Sequence, residues 1–334
     1  MNIIIPMAGL GKRLRPHTLT TAKPLIPIAG KPMVHRLVED IAKVCPEKIN
    51  FIGFIVNPGF GKQVEDDLKA VAQAVGAEGK IYYQEEALGI SHALLFAKEL
   101  FQGKVIVAFA DTLFKADFKL DTSRDGTIWV QKVENPSQFG VVKLNERGEI
   151  TELIEKPSTF VSDLAIIGIY FFKKGEVLRE EMQYLINNNI REKGEFQFTT
   201  ALENMKKKGA IFIPGQVKEW LDCGNKDVVI QTNQRYLEFI KDQPLISSKA
   251  KVINSVIIPP VFIGDDAIIE NSIIGPHVSI GAYTSVRDSR ISNSIIQKNC
   301  SVNTAILNNS LLGNFVNFVG KSEDLSLGDY STSS

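Results

Sequence analysis

Cysteine is scarce in this chain, which has three in 334 residues. The three stand far apart, at Cys45, Cys223 and Cys300. A disulfide framework needs paired cysteines and a zinc site needs closely spaced ones, so the sequence predicts neither.

An excess of charge of either sign is also missing, because 38 Lys and Arg residues balance 38 Asp and Glu residues. No overall basic field favours nucleic acid as a partner, so any anion site must be local. Apolar runs stay well below the ~20 residues that span a bilayer. The N-terminus enters a strand-like run without a signal-peptide pattern. We therefore expect a cytoplasmic protein with no membrane or nucleic-acid partner.

Strand-like and helix-like segments alternate over residues 1–243. Such alternation predicts βαβ units, an α/β fold and a mostly parallel sheet covered by helices. The segment 126–172 is rich in strand patterns and predicts a β region inserted over the main sheet or at its edge. The predicted strands of the sheet are Asn2–Pro6, Asn50–Val56, Lys80–Gln84 and Lys104–Ala108.

An apolar repeat of about six residues replaces the helical pattern after residue 248. This spacing is typical of a parallel β-helix, here of about four coils, and an irregular β-sandwich is the alternative. We predict a first domain at 1–243, a β-helix at 244–320 and a polar tail at 321–334. The repeat has two registers that meet near residue 270: Ile257, Ile263 and Ile269, then Ile268, Ile274, Ile280 and Val286.

Two glycines, Gly9 and Gly11, follow the first strand within "MAGLGKRLRPHTLTTAKPL". In an α/β fold this loop lies at the ligand-binding edge of the sheet, and glycines there let backbone N–H groups face an anion. Neither the Walker A pattern nor GxGxxG is matched, since Leu14 stands where the third glycine would be. A glycine cradle with several cations fits a triphosphate, and a solvated basic loop is the alternative. The cations are Arg13, Arg15 and Lys23.

The complete motif resembles the signature of the nucleotide-sugar pyrophosphorylases, or sugar-1-phosphate nucleotidylyltransferases. It reads Gly9-x-Gly11-x-Arg13-Leu14-x-Pro16-x-Thr18, then Lys23-Pro24-Leu25, Pro27 and Gly30-Lys31-Pro32. The likeness is greatest to the glucose-1-phosphate thymidylyltransferase and uridylyltransferase branch. Several members carry a left-handed β-helix behind the catalytic domain. The resemblance therefore implies a Rossmann-like nucleotidyltransferase domain followed by a short left-handed β-helix.

The resemblance also implies a reaction. A pyrimidine nucleoside triphosphate, dTTP or UTP, and a sugar 1-phosphate such as glucose 1-phosphate would yield a nucleotide sugar and pyrophosphate with Mg²⁺ as cofactor. Arg13 would stabilise charge at the α-phosphate and Lys23 would bridge the phosphates. The nucleotide would lie along the loop residues Ala8, Gly9 and Gly11.

Two carboxylates are the candidate metal ligands. Asp111 follows a predicted strand in "VAFADTLF", and Asp222 lies in "EWLDCGNKD", which resembles the W-x-D-x-G segment of the family. Mg²⁺ commonly takes one or two carboxylates, with water and phosphate oxygens completing its shell. A turn or a helix cap is the structural alternative for each aspartate.

The resemblance places the base site in "YQEEALGISHAL" and the sugar site in "FGVV" and "ELIEKPS". The Gln84 amide can pair with a base edge because it both donates and accepts, and Gly89 would let the backbone approach the ring. On the sugar side, Lys156 would hold the phosphate, Glu155 the hydroxyls, and Gly140 would supply backbone.

Three sugar-side positions depart from the family pattern. Thr112 stands where the family has Asn, which puts its sugar contact in question. In "KGEFQFTT", where the family is nearer R-G-E-L-E-I-T-D, Lys193 keeps a charge without the bidentate fork of Arg, and Gln197 replaces a sugar-binding Glu.

Two other functions stay open at this point. The departures suit a non-catalytic regulatory or scaffold subunit that binds nucleotide without turnover. The second alternative is a bifunctional enzyme with acetyl transfer on the β-helix. Some hexapeptide-repeat domains are acyltransferases that use a histidine as base, and His277 is the histidine of the repeat region. We expect the repeat to serve packing or self-association, and therefore a homo-oligomer.

Overall fold

The computed structural model describes residues 1–9, 11–116 and 119–321. Of the predicted polar tail, Ser322 to Ser334 lie outside the described residues. The chain divides into two compact units. The first contains Met1–Ile26 and Lys31–Gly224, and the second joins Pro27–Gly30 to the chain from Asn225 onward.

Thirteen strands precede residue 225: β1 (Asn2–Pro6), β2 (Pro27–Ile28), β3 (Lys31–Pro32), β4 (Phe51–Val56), β5 (Glu78–Tyr83), β6 (Val105–Ala108), β7 (Thr112–Lys115), β8 (Gly126–Lys132), β9 (Gly140–Leu144), β10 (Ile150–Glu155), β11 (Leu164–Phe172), β12 (Phe212–Gln216) and β13 (Glu219–Asp222). The α-helices are α1 (Met33–Val44), α2 (Lys62–Ala74), α3 (Ile90–Leu95), α4 (Gly175–Asn187), α5 (Phe198–Lys207) and α6 (Lys226–Phe239). Short 3₁₀ helices occupy Lys12–Leu14, His17–Leu19, Lys23–Leu25, Pro58–Phe60, Lys98–Leu100 and Pro136–Gln138.

The centre of the first unit is a parallel sheet in the order β6-β1-β4-β5. Ile4 in β1 lies opposite Gly53 on one side and Val107 on the other, and it is fully buried. Parallel strands covered on both faces read as continuous apolar runs, which is why Ile3-Ile4-Ile5 marks the middle of the sheet. The predicted α/β fold with a mostly parallel sheet is confirmed.

The strands of segment 126–172 extend the main sheet at its edge, which is one of the two predicted arrangements. They join it at β6, where β11 pairs antiparallel through Phe172 and Val105. On its other side β11 pairs with β8, which pairs with β12. The hairpin of β9 and β10 branches from the start of β11 at Ala165.

Helices α3, α4 and α5 pack together on this sheet. Their shared core includes Leu94 of α3, Met182 of α4 and Leu202 of α5, none of them exposed. The first turns of α3 and α5 are thereby held side by side, and both matter for the site. No helix in the described part of the chain is long and apolar enough to cross a membrane.

The second unit is a parallel β-helix of four coils of three strands each, followed by one more strand. Neighbouring coils are offset by 17 residues at first and by 16 later. The predicted left-handed β-helix is confirmed. Its strands are β14 (Lys251–Ile253), β15 (Val256–Ile257), β16 (Val261–Ile263), β17 (Ile268–Glu270), β18 (Ile273–Ile274), β19 (Val278–Ile280), β20 (Ser285–Arg287), β21 (Arg290–Ser292), β22 (Ser294–Ile296), β23 (Ser301–Asn303), β24 (Ile306–Asn308), β25 (Leu311–Leu312) and β26 (Asn317–Val319).

The two predicted registers of the repeat form one continuous core. Ile269 and Ile274 are both fully buried, five residues apart, so the slip predicted near residue 270 is a shortened step at one corner. Ile268, the first residue of the second register, is only half-buried, so Ile269 fills the inward position and Ile268 does not belong to the core. A strand alternates its faces, so the neighbour of an inward Ile269 points outward.

Residues in the left-handed region form columns at the corners of the coils. Asn254, Asn271, Asp288 and Thr304 form one corner column with φ between 45° and 50°. Asn and Asp tolerate this region better than other side chains do. The Asn254 amide also donates to Asn271 Oδ1 at 2.8 Å, which links successive coils. Two further columns comprise Asp266, Tyr283, Asn299 and Phe315, and His277, Asn293 and Asn309.

Helix α6 belongs with the β-helix, although it precedes the predicted boundary at residue 243. It packs on β19 and β22. Its fully buried Asn233 accepts hydrogen bonds at Oδ1 from Ser279 Oγ at 2.7 Å and from the Ala29 backbone N–H at 2.8 Å. This carbonyl oxygen is one of the contacts that join the short segment Pro27–Gly30 to the second unit.

Replacing Ile280 by alanine tests the inward assignment. The side chain is fully buried in the β-helix core, so we expect the free energy of unfolding to fall by about 2–5 kcal/mol in urea denaturation. Ile306→Ala is the control, since Ile306 is 86% exposed and should change this free energy by less than about 0.5 kcal/mol. Equal losses in the two variants would contradict the assignment.

Candidate active site

The loop after β1 folds back on itself around Gly11. Gly11 has φ 57°, and a Cβ there would lie 2.9 Å from Lys23 Cβ. The Thr18 hydroxyl donates to the Gly11 carbonyl at 2.8 Å. Glycine is therefore required at this point for close packing of the loop, and the packing brings Lys23 beside the start of the loop.

Lys23 and Asp111 form an ion pair. The Lys23 Nζ lies 2.6 Å from Asp111 Oδ2, and Lys23 is only 8% exposed. Asp111 follows β6, so the pair joins the loops after two adjacent parallel strands, β1 and β6. The predicted phosphate-binding lysine and one predicted metal ligand are thus in direct contact.

Asp222 lies beside Asp111 because β13 pairs antiparallel with β7. Asp222 is opposite Thr112, and the Cys223 N–H donates to the Asp111 carbonyl at 3.2 Å. Burial raises the pKa of the Asp222 carboxyl, and the charge of Asp111 raises it further. Lys23 and Arg13 act in the opposite direction on this pKa, so all four charged side chains form one cluster.

A glycine keeps the space around the Asp222 carboxylate open. A Cβ at Gly224 would lie 2.8 Å from Asp222 Oδ2 and 3.4 Å from the Arg13 Nη1. Gly224, the glycine of the W-x-D-x-G segment, therefore has a steric role, because a side chain there would contact both the Asp222 carboxylate and the Arg13 guanidinium.

The two aspartates suit Mg²⁺ better than a transition metal. Among the described residues no group of three or more His, Cys, Asp and Glu side chains is arranged to hold a metal. Mg²⁺ accepts one or two carboxylates and fills its shell with water and phosphate oxygens, whereas structural zinc takes four protein ligands. The donor set of Asp111 and Asp222 thus fits Mg²⁺ shared with a phosphate ligand.

The predicted base loop runs from the end of β5 to the start of α3. Gln84 is half-buried, its N–H donates to the Val56 carbonyl, and its side-chain amide donates to the Glu86 carbonyl at 2.9 Å. Gly89 has φ 112°, and a Cβ there would lie 2.6 Å from the Phe196 backbone nitrogen. Packing against Phe196 is therefore one reason for glycine at this position, independent of any base.

The predicted sugar residues Gly140 and Glu155 face each other across the β9–β10 hairpin. A Cβ at Gly140 would lie 3.1 Å from Glu155 Oε2. Lys156 follows with φ 44°, its N–H donating to the Phe139 carbonyl and its exposed Nζ lying 3.9 Å from Glu155 Oε1. This left-handed residue turns the chain directly after Glu155.

Lys193 and Gln197 lie on a loop close to that hairpin. Burial raises the pKa of Glu155, whereas the charges of Lys156 and Lys193 lower it. Gln197 is half-buried. Its side-chain amide donates to the Glu192 carbonyl over a long distance, 3.4 Å. The structure thus brings the predicted sugar residues of two distant segments into one electrostatic neighbourhood.

Comparison with known proteins decides the family. The model of the family described as nucleotidyl transferase matches residues 2–238. The chain belongs to the nucleotidyl transferase family.

Relatives of this nucleotidyl transferase include thymidylyltransferases and proteins described as bifunctional. It is 31% identical to a glucose-1-phosphate thymidylyltransferase of Streptomyces antibioticus, over 89% of this chain and 87% of the relative. It is 30% identical to the bifunctional protein GlmU of Methanococcus vannielii, over 95% of this chain and 79% of the relative. A solved structure from Bacillus anthracis, assigned as a glucose-1-phosphate thymidylyltransferase and crystallised with sucrose, aligns with TM-score 0.60 and 25% identity. That alignment covers 70% of this chain and 94% of the other.

Thr112 of the transferase has a role inside the fold. It is 5% exposed, and its hydroxyl donates to the Ile167 carbonyl at 2.7 Å. The hydroxyl proton is therefore used in joining β7 to β11, and the expected contact of Thr112 with a sugar stays a prediction.

Sequence reasoning missed several residues that organise the site. The Phe139 ring meets the Trp220 ring edge to face at 5.0 Å, which links the sugar hairpin to the strand of Asp222. The charges of Glu192 and Glu195, on the loop that carries Lys193, raise the pKa of Glu155. The residues Trp220, Glu192 and Glu195 stand within or beside the quoted motifs, but their partners are more than 30 residues away and leave no local pattern.

Substitution of Gly89 tests the close approach to Phe196. Gly61 is a matched control, since both glycines precede a helix and have similar dihedral angles, φ 82° and ψ 161° against φ 112° and ψ 168°. Nothing lies within 4 Å of a Cβ at Gly61. Gly61→Ala should lower the free energy of unfolding by about 1–3 kcal/mol through backbone strain alone, and Gly89→Ala by clearly more, as measured in urea. Equal losses would contradict a steric role of Phe196.

Proposed function

We propose that this chain is a Mg²⁺-dependent sugar-1-phosphate nucleotidylyltransferase that uses dTTP or UTP, with glucose 1-phosphate as the sugar substrate. One observation carries the proposal: Lys23 and Asp111 are in contact at 2.6 Å, with Asp222 and Arg13 in the same charged cluster. Paired cations and carboxylates at the edge of a parallel sheet are what a triphosphate and its metal require. The names of the relatives in Streptomyces and Bacillus support the choice of glucose.

The reaction needs positioning and charge neutralisation and no covalent enzyme group. A phosphate oxygen of the sugar 1-phosphate forms a bond to the α-phosphorus, the bond from that phosphorus to the bridging oxygen breaks, and pyrophosphate leaves with the electron pair. Arg13 and Lys23 are the cations placed to neutralise the triphosphate. Mg²⁺, held by Asp111 and Asp222, would supply further charge neutralisation and orientation of phosphate oxygens.

On the sugar side, Lys156 and Lys193 are the cations for the sugar phosphate, and Glu155 and Gln197 are the hydrogen-bonding groups for hydroxyls. The exposure of both lysines leaves them accessible to a phosphate. Gln84 supplies an amide for the pyrimidine edge. A thymine methyl group adds only about 1 kcal/mol of discrimination in an apolar pocket, so we expect both triphosphates to be accepted.

Two alternatives were left open by the sequence. A regulatory subunit that binds nucleotide without turnover would use the same phosphate-binding cations but would release no pyrophosphate, so the turnover assay below separates it from the enzyme. For acetyl transfer, the candidate base His277 has its Nε2 2.8 Å from Glu238 Oε1 on α6, which gives that ring a structural partner within its own unit. The homo-oligomer stays a prediction.

The metal-ligand role is tested with Asp111→Asn. We expect kcat for pyrophosphate release to fall about 100-fold or more, because one of the two carboxylates that would hold Mg²⁺ loses its charge. The assay combines Mg²⁺ with each common triphosphate and with glucose, mannose and N-acetylglucosamine 1-phosphates. Asp66→Asn is the control, since Asp66 is in a surface ion pair with Lys62. Undiminished turnover by Asp111→Asn would remove Asp111 from the mechanism, and no turnover of any pair by the folded native chain would refute the proposed function.

The sugar-phosphate role is tested with Lys156→Ala. Loss of a charge-assisted hydrogen bond should raise the KM for glucose 1-phosphate about ten-fold or more and leave the KM for the triphosphate within two-fold. Lys132→Ala is the matched control, because Lys132 is also exposed and is paired with Asp163. An increase confined to the KM for the triphosphate would reassign Lys156 to the nucleotide.

A further inference from the structure

The segments that lead into α3 and α5 are joined by backbone hydrogen bonds. The Phe196 N–H donates to the Leu88 carbonyl at 2.9 Å, and the Ser91 N–H donates to the Phe196 carbonyl at 3.2 Å. The Ser91 hydroxyl adds a third bond, to the Gln197 carbonyl at 3.1 Å. We call Leu88–Ser91 with Phe196–Gln197 the clamp.

The clamp has one half in each recognition loop. Its first half contains Gly89 and ends the loop that begins at Gln84, the candidate base residue. Its second half contains Gln197 and ends the loop that carries Lys193, both candidate sugar residues. Ser91 and Gln197 are 106 residues apart in sequence, so the contact is purely tertiary.

The clamp leaves little room for independent movement of its halves. A Cβ at Gly89 would lie 2.6 Å from the Phe196 nitrogen and 2.7 Å from its carbonyl oxygen. Ser91 is fully buried and Phe196 is 3% exposed, with the Arg191 guanidinium 4.5 Å above its ring. Closely packed groups shift together, since the interior is not continuously deformable.

We propose that the clamp couples the nucleotide site to the sugar-phosphate site, and that the Ser91 hydroxyl is its positioning group. The inference rests on the proposed function for the identity of the two ligands. Nucleotide bound along Gln84–Gly89 fixes Leu88–Ser91, which fixes Phe196–Gln197 and raises the affinity for the sugar 1-phosphate. By linkage, the sugar 1-phosphate raises the affinity for nucleotide by the same factor.

The test is the coupling factor in the full-length protein and in Ser91→Ala. Calorimetric titration gives the Kd of α,β-methylene-dTTP with Mg²⁺, alone and with saturating glucose 1-phosphate. We expect at least a five-fold increase in affinity in the native chain. Ser91→Ala should lose most of this increase, while its Kd for the nucleotide alone stays within two-fold, since the Ser91 side chain is fully buried and its hydroxyl donates to the Gln197 carbonyl. A general structural defect would weaken nucleotide binding itself.

Ser289→Ala is the matched control. Ser289 is 6% exposed, and its hydroxyl also donates to a backbone carbonyl, that of Arg287, at 2.6 Å. It lies in the β-helix, so its loss should leave the coupling factor unchanged. An unchanged coupling factor in Ser91→Ala would overturn the inference, and so would an equal loss in Ser289→Ala.

A second measurement separates this inference from the proposed function. Hydrogen exchange is followed in the segment 192–198 of the native chain with and without dTTP or UTP and Mg²⁺. Slower exchange at Phe196 on nucleotide binding supports the clamp even if no sugar phosphate is turned over, an outcome that would refute only the proposed function. Unchanged exchange while nucleotide binds overturns the clamp even if turnover is normal. Absence of binding by both triphosphates overturns both.

Discussion

The ion pair between Lys23 and Asp111 is the constraint on which the rest of the candidate site depends. A lysine that is 8% exposed is stable only with a close anionic partner, because desolvation of an unpaired ammonium costs several kcal/mol. The pair closes the loop after β1 against the loop after β6. Gly11 and Thr18 then complete the packing, and Asp222 enters from β13. The folded chain therefore holds these cations and carboxylates together in one cluster.

The two halves of the site are joined by contacts between segments far apart in sequence. Phe139 and Trp220 connect the sugar hairpin to the strand of Asp222. Ser91 and Phe196 connect the base loop to the sugar loop. Most of these contacts are made by backbone groups or half-buried rings, so they constrain position more than they contribute charge.

The β-helix depends on contacts between neighbouring coils, and its coils repeat the same kinds of core and corner residue. Inward Ile and Val residues fill a core one coil wide, and columns of left-handed residues stand at its corners. Local sequence is sufficient to predict such a fold, because each coil contacts mainly its neighbours. The register within it is less secure, as Ile268 shows, because two adjacent isoleucines compete for one inward position.

The sequence by itself determined the alternation of strands and helices, the β-helix and the segments that carry the candidate site residues. These follow from periodicity and from motifs that are contiguous along the chain. Tertiary structure alone decided that β11 joins the parallel sheet antiparallel to β6, that α6 belongs with the β-helix, and that the Thr112 hydroxyl bonds within the fold. It also decided that Lys23 contacts Asp111 and that Ser91 contacts Gln197. These contacts join residues at least 39 positions apart, and their energy comes from burial and pairing in the folded chain, for which no local pattern is required.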